Sequence, residues 1–455
     1  MVPTERRALQ RVKVSYPVVV ETNHDADPPH LKGGTVDVSE DGLCLCVASP
    51  LEPTIKRVSI QMTLPLPSPV IDAEVIWQQR RNDAWYCGLR LLATDDQLSS
   101  LRKSLRVHDD YILNHVIRAT SRRRKDVTEK VEMFFRTAVK KFLETVVSLE
   151  AELSHKANDA LIQQQFDEAV RELLVEGDEL ERAVDDKLVM KNVKEHFRAL
   201  VSCWVRETRC VDRAYRKPRG YPGDAKLLES IYDNKPVLDR RMGACFERNF
   251  LNDTYAVAVR ERKEKTKDFL RQFLGTTTVD PVRILNIACG ACRELKELFT
   301  EGKWERRYRL ACVDHDEEAL TLARDHLAIL PSNFSAEFIK EDVLNLCKSS
   351  SYAETLSGQH LIYSIGLADY LPDRILKKLL ACMYQWLEPQ GVILLTHKEK
   401  NRHKPLAPDW FCDWAFVPRD QEDLLRLIQE AGIRRACVTW EWESSGRVLF
   451  ALITK

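Results

Sequence analysis

The chain has 455 residues, too many for one hydrophobic core, so its length predicts two or three domains. Lysine plus arginine equals aspartate plus glutamate at 69 each, and this balance leaves no excess positive charge to attract nucleic acid. The thirteen cysteines are scattered and odd in number, and no apolar run reaches the ~20 residues that cross a bilayer, so we expect a cytoplasmic protein with reduced thiols, no signal peptide and no membrane span.

The first hundred residues show the period of two that is typical of strands. Alternating apolar residues, separated by Pro-rich turns such as 65–69, predict strands at 12–20, 35–47, 58–64, 71–78 and 84–91. Short strands at this spacing favour a small β-barrel.

Two motifs flank the first predicted strand. Arg7 and Arg11 are four residues apart and can present two planar guanidinium groups to phosphate oxygens. Asp37-Val-Ser-Glu-Asp-Gly42 then offers a carboxylate, a hydroxyl and a glycine. Together they predict a pocket for a nucleotide with two phosphates. Taken singly, the arginines could lie on a solvated face and the second motif could be an ordinary turn.

This pattern resembles the PilZ domain, the bacterial receptor module for cyclic di-GMP. Trp77 and Gly88 also lie where PilZ sequences often carry these residues. The resemblance implies that the two arginines clamp phosphates and stack on guanine, that the aspartate and serine bind base and phosphate, and that the glycine permits the turn. The implied cyclic di-GMP site comprises Arg7, Arg11, Asp37, Ser39 and Gly42.

Beyond the barrel, the apolar period lengthens to that of helices. Apolar stripes over 131–153, 161–174 and 188–204 predict three helices whose buried faces pack into a core. We therefore expect a PilZ-like β-barrel over 1–107 and a helical linker or cap over 108–214.

The remainder, 215–455, alternates strands and helices. The apolar run 282–287 predicts a buried parallel strand. Further strands are expected at 308–313, 337–339, 360–365 and 392–395, and helices at 293–299, 317–327, 373–387 and 420–431. Two last strands, 436–441 and 448–454, predict a closing antiparallel hairpin. This pattern is typical of a doubly wound α/β sheet with an antiparallel edge.

The first strand-to-helix turn of this sheet reads Asn286-Ile-Ala-Cys-Gly-Ala-Cys-Arg-Glu294. A ligand must approach the backbone closely at such a turn, which favours glycine. Only Gly290 of the three usual glycines is present, and Ala288 and Cys292 replace the others. Cys289 and Cys292 have no second cysteine pair to complete a metal site, so we expect no metal.

Two carboxylates follow at the ends of neighbouring predicted strands. Asp314 lies where a carboxylate can bind two ribose hydroxyls, and Asp342 where one can accept from an adenine amino group. The constellation resembles class I S-adenosylmethionine-dependent methyltransferases rather than dehydrogenases, whose diphosphate needs a fuller glycine loop. The implied cofactor residues are Asn286, Ala288, Gly290, Asp314, Asp342, Ser364 and Gly366.

Three segments, 216–224, 288–294 and 362–370, more narrowly resemble a bacterial methyltransferase family described as making the methyl ester of 3-hydroxypalmitic acid. The resemblance implies a carboxylate acceptor such as a hydroxy fatty acid. A carboxylate is ionised near pH 7 and needs no general base, which agrees with the absence of a clear base motif. Tyr221, Asp224 and Tyr370 are the implied catalytic residues.

The leading hypothesis is a methyltransferase of bacterial signalling that responds to cyclic di-GMP, acts on a small molecule and binds no nucleic acid. A rival hypothesis is a cyclic di-GMP effector whose methyltransferase-like domain has lost catalysis with its glycines and acts through protein partners. A third keeps the enzyme but changes the acceptor to RNA, protein or a small amine. The neutral charge disfavours RNA.

Overall fold

The computed structural model describes residues 11–22, 31–120, 125–154, 159–236, 241–348, 350–402 and 406–455. The chain divides into two compact units, Met1–Thr208 with Leu238–Asn249, and Arg209–Val237 with Phe250–Lys455. The predicted boundaries at residues 107 and 214 stay predictions. Among the helices of the described residues, none combines the length and the apolar character needed to span a membrane.

Six antiparallel strands at the start of the first unit close into a barrel in the order β1-β2-β3-β6-β5-β4. Apolar side chains such as Val18, Leu43 and Leu89 alternate into its buried interior. The predicted small β-barrel is therefore confirmed. Its strands are β1 (Pro17–Glu21), β2 (Leu31–Val38), β3 (Gly42–Val47), β4 (Arg57–Met62), β5 (Ile71–Arg81) and β6 (Ala84–Leu91).

The expectation of one strand over 35–47 is wrong, because β2 ends at Val38 and β3 begins at Gly42. The Ser39 backbone N–H and hydroxyl both donate to the Gly42 carbonyl, at 2.7 and 2.9 Å, and this closes a hairpin turn. Short polar side chains compete with the strand ladder in this way.

Helices form the rest of the first unit, as predicted. Their core is aromatic: the Phe142 ring lies 6.2 Å from both Phe166 and Phe197, measured between centroids. A π-helical turn at Phe135–Val139 interrupts the first predicted helix. The helices are α1 (Ser99–Leu105), α2 (Asp109–Ala119), α3 (Lys125–Phe134), α4 (Lys140–Ser154), α5 (Asp159–Val184) and α6 (Lys187–Val205).

Four helices lie between α6 and the sheet of the second unit in the chain: α7 (Cys210–Arg216), α8 (Ala225–Asp233), α9 (Met242–Asn252) and α10 (Thr254–Thr276). Most of α9 belongs to the first unit. The sheet has seven strands in the order β12-β13-β11-β10-β7-β8-β9. They are β7 (Val282–Ile287), β8 (Tyr308–Asp314), β9 (Phe334–Lys340), β10 (Gln359–Ser364), β11 (Leu387–Lys398), β12 (Val438–Trp442) and β13 (Val448–Thr454).

The sheet is parallel except at β13, which pairs antiparallel with both β11 and β12. The predicted doubly wound α/β fold with an antiparallel edge is confirmed. The strand order reverses between β7 and β10, and ligands of such sheets bind at the carboxyl ends of strands at this switch point. The remaining helices are α11 (Arg293–Glu301), α12 (Glu317–Leu327), α13 (Val343–Leu346), α14 (Ser350–Thr355), α15 (Asp373–Trp386), α16 (Leu406–Cys412) and α17 (Gln421–Glu430).

Candidate functional site

On the barrel, the structure brings together two of the predicted nucleotide-binding residues. Arg11 Nη1 donates to Asp37 Oδ1 at 2.9 Å, and the arginine side chain remains 55% exposed. Such a surface pair contributes at most ~1 kcal/mol, so an anionic ligand could share the guanidinium at small cost. Arg7 lies outside the described residues.

Ser39 and Gly42 form the hairpin turn beside this pair. The Ser39 hydroxyl hydrogen-bonds with Asp41 Oδ1 at 2.9 Å as well as with the Gly42 carbonyl. Gly42 is the first residue of β3 and has no left-handed φ, so its place in the turn does not depend on that conformation. A Cβ there would lie 2.8 Å from the Leu89 carbonyl oxygen, so glycine is needed for the close approach of β3 to β6.

Paired residues on four neighbouring strands, β2, β3, β6 and β5, form a row that extends the surface around Arg11 and Asp37. Asp37 pairs with Cys44, Cys44 with Gly88, and Gly88 with Trp77, so their side-chain positions share the outer face. Both outer strands of the row carry a bulge here. Bulges re-aim side chains beside binding sites.

Sequence reasoning missed Arg81, which lies at the far end of β5. Its guanidinium lies 6.0 Å from the Trp77 ring centroid and 5.4 Å from that of Tyr86. The pKa of the Cys44 thiol is raised, chiefly by burial, and the positive charges of Arg11 and Arg81 oppose this rise. Both guanidinium groups therefore lie near Cys44. Planar guanidinium groups, aromatic rings and a carboxylate can together stack and pair with a purine nucleotide.

In the second unit, the turn after β7 has a left-handed backbone although it carries one glycine where three are usual. Ala288, Gly290 and Cys292 adopt left-handed φ values of 55°, 54° and 52°. A left-handed conformation costs a non-glycine residue roughly 1–2 kcal/mol, and such strain is concentrated at functional sites. The Gly290 N–H donates to Asp314 Oδ2 at 2.9 Å, which ties the turn to the end of β8.

A buried polar network lies beneath this turn. The Tyr363 hydroxyl donates to Glu294 Oε1 at 2.7 Å, and Asn286 Nδ2 donates to the Tyr363 oxygen at 2.8 Å and to Glu294 Oε1 at 3.2 Å. Burial raises the pKa of Glu294 to about 7. Asn286 Oδ1 and Ser364 Oγ are buried, and neither forms a hydrogen bond with the described residues. Buried polar atoms normally have partners, so these atoms mark a place where a polar ligand would bind.

Tyr221 lies beside the end of β8. Its ring centroid is 5.1 Å from that of His315, whose Nδ1 lies 3.4 Å from Asp314 Oδ1. This hydrogen bond to Asp314 raises the pKa of His315. Burial, followed by the charge of Asp314, raises the pKa of Tyr221. The structure therefore brings the predicted catalytic tyrosine to the predicted ribose-binding carboxylate.

The same segment also reaches Tyr370. Gly223 has φ +79°, and a Cβ there would lie 2.5 Å from the Trp414 ring, so glycine lets the backbone lie on the indole. Trp414 Nε1 donates to the Tyr370 hydroxyl oxygen at 2.7 Å. Asp224 caps α8 by accepting from the Leu227 N–H at 3.0 Å and is paired with Arg213 Nε at 2.7 Å. Its carboxylate thus holds this segment in place.

Asp342 does not end the third strand as expected. β9 stops at Lys340, and Asp342 is an exposed residue that caps α13 by accepting from the Leu344 N–H at 2.7 Å. Its negative charge contributes to the raised pKa of His315, so the carboxylate still lies near the end of β8.

Sequence reasoning missed a buried charge cluster beyond the end of β10. Asp369 accepts from the Lys398 backbone N–H at 2.8 Å and from its Nζ at 3.2 Å. Burial lowers the pKa of Lys398 to about 8, and its ammonium lies 4.2 Å from the ring centroids of both Tyr255 and Phe416. Because these residues come from distant segments, no local pattern could reveal the cluster.

Gly366, a predicted cofactor residue, packs against this cluster. It adopts φ +100°, and its N–H donates to Thr396 Oγ1 at 3.1 Å. A Cβ there would lie 2.6 Å from the Arg262 guanidinium, so glycine lets that cation reach the end of β10. Arg262 in turn lies 3.8 Å from Asp369.

The described residues contain no group of three or more His, Cys, Asp or Glu side chains suited to a metal ion. The cysteines of the described residues form no disulfide bond. Cys292 and Cys312 lie 3.7 Å apart, sulfur to sulfur, beneath the turn.

Comparison with known proteins identifies the barrel. Residues 5–106 match the PilZ domain family model, so the chain carries an N-terminal PilZ domain. No curated protein matches the sequence.

Several solved structures are similar to the chain. A possible exported protein from Bordetella parapertussis is 17% identical over 70% of this chain and 97% of its own, with a TM-score of 0.40. An S-adenosylmethionine-dependent methyltransferase from Leishmania major is 18% identical over 50% and 82%, with a TM-score of 0.33. Magnesium protoporphyrin IX methyltransferase from Synechocystis PCC 6803 with bound S-adenosylmethionine is 11% identical over 44% and 84%, with a TM-score of 0.32.

Proposed function

We propose that this chain is an S-adenosylmethionine-dependent methyltransferase that responds to cyclic di-GMP and methylates a carboxylate such as that of a hydroxy fatty acid. The observation that carries the proposal is the set of buried acceptors at the carboxyl ends of β7, β8 and β10. These are Asn286 Oδ1 and Ser364 Oγ, which lack partners in the described residues, and the carboxylates of Asp314 and Glu294. A polar, cationic cofactor would satisfy this set.

The residues present fit such a cofactor. The Asp314 carboxylate would accept from two ribose hydroxyls, and the turn through Gly290 would bring backbone against the ligand. Asn286 and Ser364 would hydrogen-bond with polar groups of the cofactor, and Asp342 would accept from the adenine amino group. When bound, S-adenosylmethionine supplies a methyl group already activated on a sulfonium, so the protein chiefly aligns the reacting atoms.

The acceptor would bind between the tyrosines that flank the cofactor site. Tyr221 lies by Asp314, and Tyr370 is joined to the same segment through Trp414 and Gly223. Asp224 would act as a positioning residue, because its carboxylate already holds α8 and Arg213. A carboxylate acceptor needs no proton removed near pH 7, which suits a site whose buried carboxylate Asp369 is already held by Lys398.

The PilZ domain would supply the regulatory ligand site. Arg7 and Arg11 would clamp the phosphates of cyclic di-GMP and stack on guanine, with Asp37 and Ser39 binding base and phosphate. Arg81 would add a further guanidinium to this surface. The Trp77 and Tyr86 rings beside Arg81 support a stacking role for this surface.

The test is calorimetry with S-adenosylmethionine on the full chain, followed by methyl transfer from labelled cofactor to a panel of acids and amines. We expect Asp314→Asn to weaken cofactor binding by ~1.5–3 kcal/mol, because the substitution removes the charge from the hydrogen bonds to ribose. Asp325→Asn, an exposed carboxylate on α12, is the matched control.

Three outcomes would change the proposal. If the wild-type chain does not bind the cofactor at millimolar concentration, the second unit is a non-catalytic domain of a cyclic di-GMP effector. Cofactor binding without transfer to any acceptor would support the same conclusion. Transfer to amines but not acids would reject the carboxylate.

A further inference from the structure

Glu294 is a buried carboxylate whose charge no described side chain balances. It is 3% exposed, and its carboxylate accepts hydrogen bonds from neutral groups alone: the Tyr363 hydroxyl, the Asn286 amide and its own backbone N–H. Three other buried carboxylates near the carboxyl edge are paired with Lys or Arg: Asp224 with Arg213, Asp316 with Arg219, and Asp369 with Lys398. An ionised carboxylate without such a partner is costly to bury.

The groups that face Glu294 do not provide the missing cation. They are Tyr363 on β10, Asn286 on β7, Cys312 on β8, Cys292 in the turn, and Glu229 and Tyr232 on α8. Glu229 is itself paired with Arg293 at 2.7 Å and lies 3.6 Å from His326 on α12. The Arg262 cation of α10 is directed to Tyr232 and Asp369. Burial, followed by Cys312 and Glu229, raises the pKa of Glu294, whereas the hydrogen bonds from the Tyr363 hydroxyl and the Glu294 backbone N–H lower it, and the net effect favours the protonated form.

We propose that Glu294 is the anionic residue that receives the positive end of the bound cofactor, and that cofactor binding releases the Glu294 proton. This inference rests on the proposed function. The geometry supports the proposal because Asn286 links Glu294 to the candidate cofactor site. Asn286 Nδ2 donates to Glu294 Oε1, and Oδ1 of the same amide is the buried acceptor without a partner in the described residues. A cation placed there would favour the ionised carboxylate, as an opposite charge within ~4–6 Å does.

The consequence is a linkage between pH and cofactor affinity. Burial holds the pKa of Glu294 near 7 in the free protein, and a bound cation would lower it. Between these two pKa values, binding must expel a proton, so affinity should fall up to about tenfold for each pH unit as the solution is acidified. Above both values the carboxylate is ionised before binding, and the slope should vanish.

The experiment is titration calorimetry of the full chain with S-adenosylmethionine at pH 6 and at pH 8.5, in buffers of different ionisation enthalpy. For the wild type, we expect release of most of one proton per cofactor at pH 6 and almost none at pH 8.5. Glu294→Gln keeps an acceptor for Tyr363 and should bind with no such release. Glu294→Asp should restore part of the release.

Two controls locate the proton. Glu301→Gln removes an exposed carboxylate from the same helix and should leave the release unchanged. His315→Asn removes the other group at this edge whose raised pKa could produce a proton, and should also leave most of the release. Thermal unfolding of each variant checks that it is folded.

S-adenosylhomocysteine distinguishes the two positive groups of the cofactor, because it lacks the sulfonium but keeps the ammonium. Release with both ligands would assign the contact to the ammonium, and release with S-adenosylmethionine alone to the sulfonium. Equal release by wild type and Glu294→Gln, or loss of release only in His315→Asn, would overturn the inference. Failure of the wild type to bind the cofactor at either pH would instead reject the proposed function.

Discussion

Arg11 is the residue on which the proposed nucleotide site can be tested most directly. Its guanidinium is half-exposed and pairs with Asp37, so the folded barrel loses little when it is removed. We expect Arg11→Ala to weaken cyclic di-GMP binding by ~1.5–3 kcal/mol, because a charge-assisted bond to phosphate is lost, while barrel stability changes by less than ~1 kcal/mol.

The matched control is Arg57→Ala, an exposed arginine on β4 that should leave the affinity unchanged. The measurement is a calorimetric titration of both variants with cyclic di-GMP. An Arg11→Ala variant that binds as tightly as the wild type would remove this residue from the site.

Glu294 gives a second residue-scale prediction, which does not depend on any ligand. Its folded pKa of about 7 lies above the ordinary value of 4.5, so the folded state holds its proton more tightly than the unfolded state. Stability from this group is therefore full below about pH 4.5 and is lost as pH rises towards 7, by up to roughly 1.4 kcal/mol per pH unit.

Glu294→Gln cannot ionise and should escape this loss. The difference in free energy of unfolding between variant and wild type should grow in favour of the variant between pH 5 and 7, by roughly 1.4 kcal/mol per unit at most. Denaturant unfolding across this pH range measures it. A difference independent of pH would mean that Glu294 is ionised throughout.

Among single residues, the sequence predicted those whose neighbours along the chain form a motif. Tyr221, Asp314 and Tyr370 are predicted in this way, and the structure places the first beside the second. Arg262 and Lys398 were not found, because their partners Gly366 and Asp369 come from other segments of the chain. Sequence spacing carries no information about such long-range contacts.

At the scale of elements, apolar periodicity located strands better than turns. The strands Ala84–Leu91, Val282–Ile287 and Val448–Thr454 have the predicted bounds. The strand predicted over 35–47 is divided by the polar turn at 39–41, which the Ser39 backbone N–H and hydroxyl close by donating to the Gly42 carbonyl. Side-chain competition with the ladder leaves no periodic signal.

The glycines of this hairpin give an element-scale prediction. Replacing glycine by alanine stabilises a protein by ~0.4–1 kcal/mol through the unfolded chain, unless the added methyl group clashes. At Gly34 the methyl group would meet ordinary contacts, with Ser15 Oγ nearest at 3.6 Å, so Gly34→Ala should be neutral or stabilising. At Gly42 it would meet the Leu89 carbonyl at 2.8 Å, so Gly42→Ala should destabilise the barrel by ~1–3 kcal/mol.

Thermal unfolding of the two variants measures this difference. Equal stability would show that β3 and β6 can separate without cost, and would leave the presence of glycine in the motif without a packing explanation.

At the scale of the whole molecule, the chain joins a PilZ domain to a doubly wound sheet, each in its own compact unit. Fold class could be predicted because the period and spacing of apolar residues change along the chain, from strands to helices and then to strand–helix repeats. The apolar pattern does not predict how one ligand affects the other site, since coupling depends on two arrangements of the molecule that differ in their affinity for each ligand.

That coupling can be tested through its reciprocity. If cyclic di-GMP changes the affinity for S-adenosylmethionine by some factor, then S-adenosylmethionine must change the affinity for cyclic di-GMP by the same factor. We expect a factor of about 5–150, which corresponds to the usual coupling free energy of ~1–3 kcal/mol. Calorimetric titration of each ligand, with and without saturation by the other, measures both factors on the full chain.

Arg11→Ala is the control for this experiment. The variant should bind S-adenosylmethionine as the wild type does and should show no effect of cyclic di-GMP at concentrations that saturate only the wild type. A factor of one in both directions would exclude coupling through cofactor affinity while leaving both binding sites in place. Unequal factors would violate the thermodynamic cycle and would mean that one ligand also binds at the other's site.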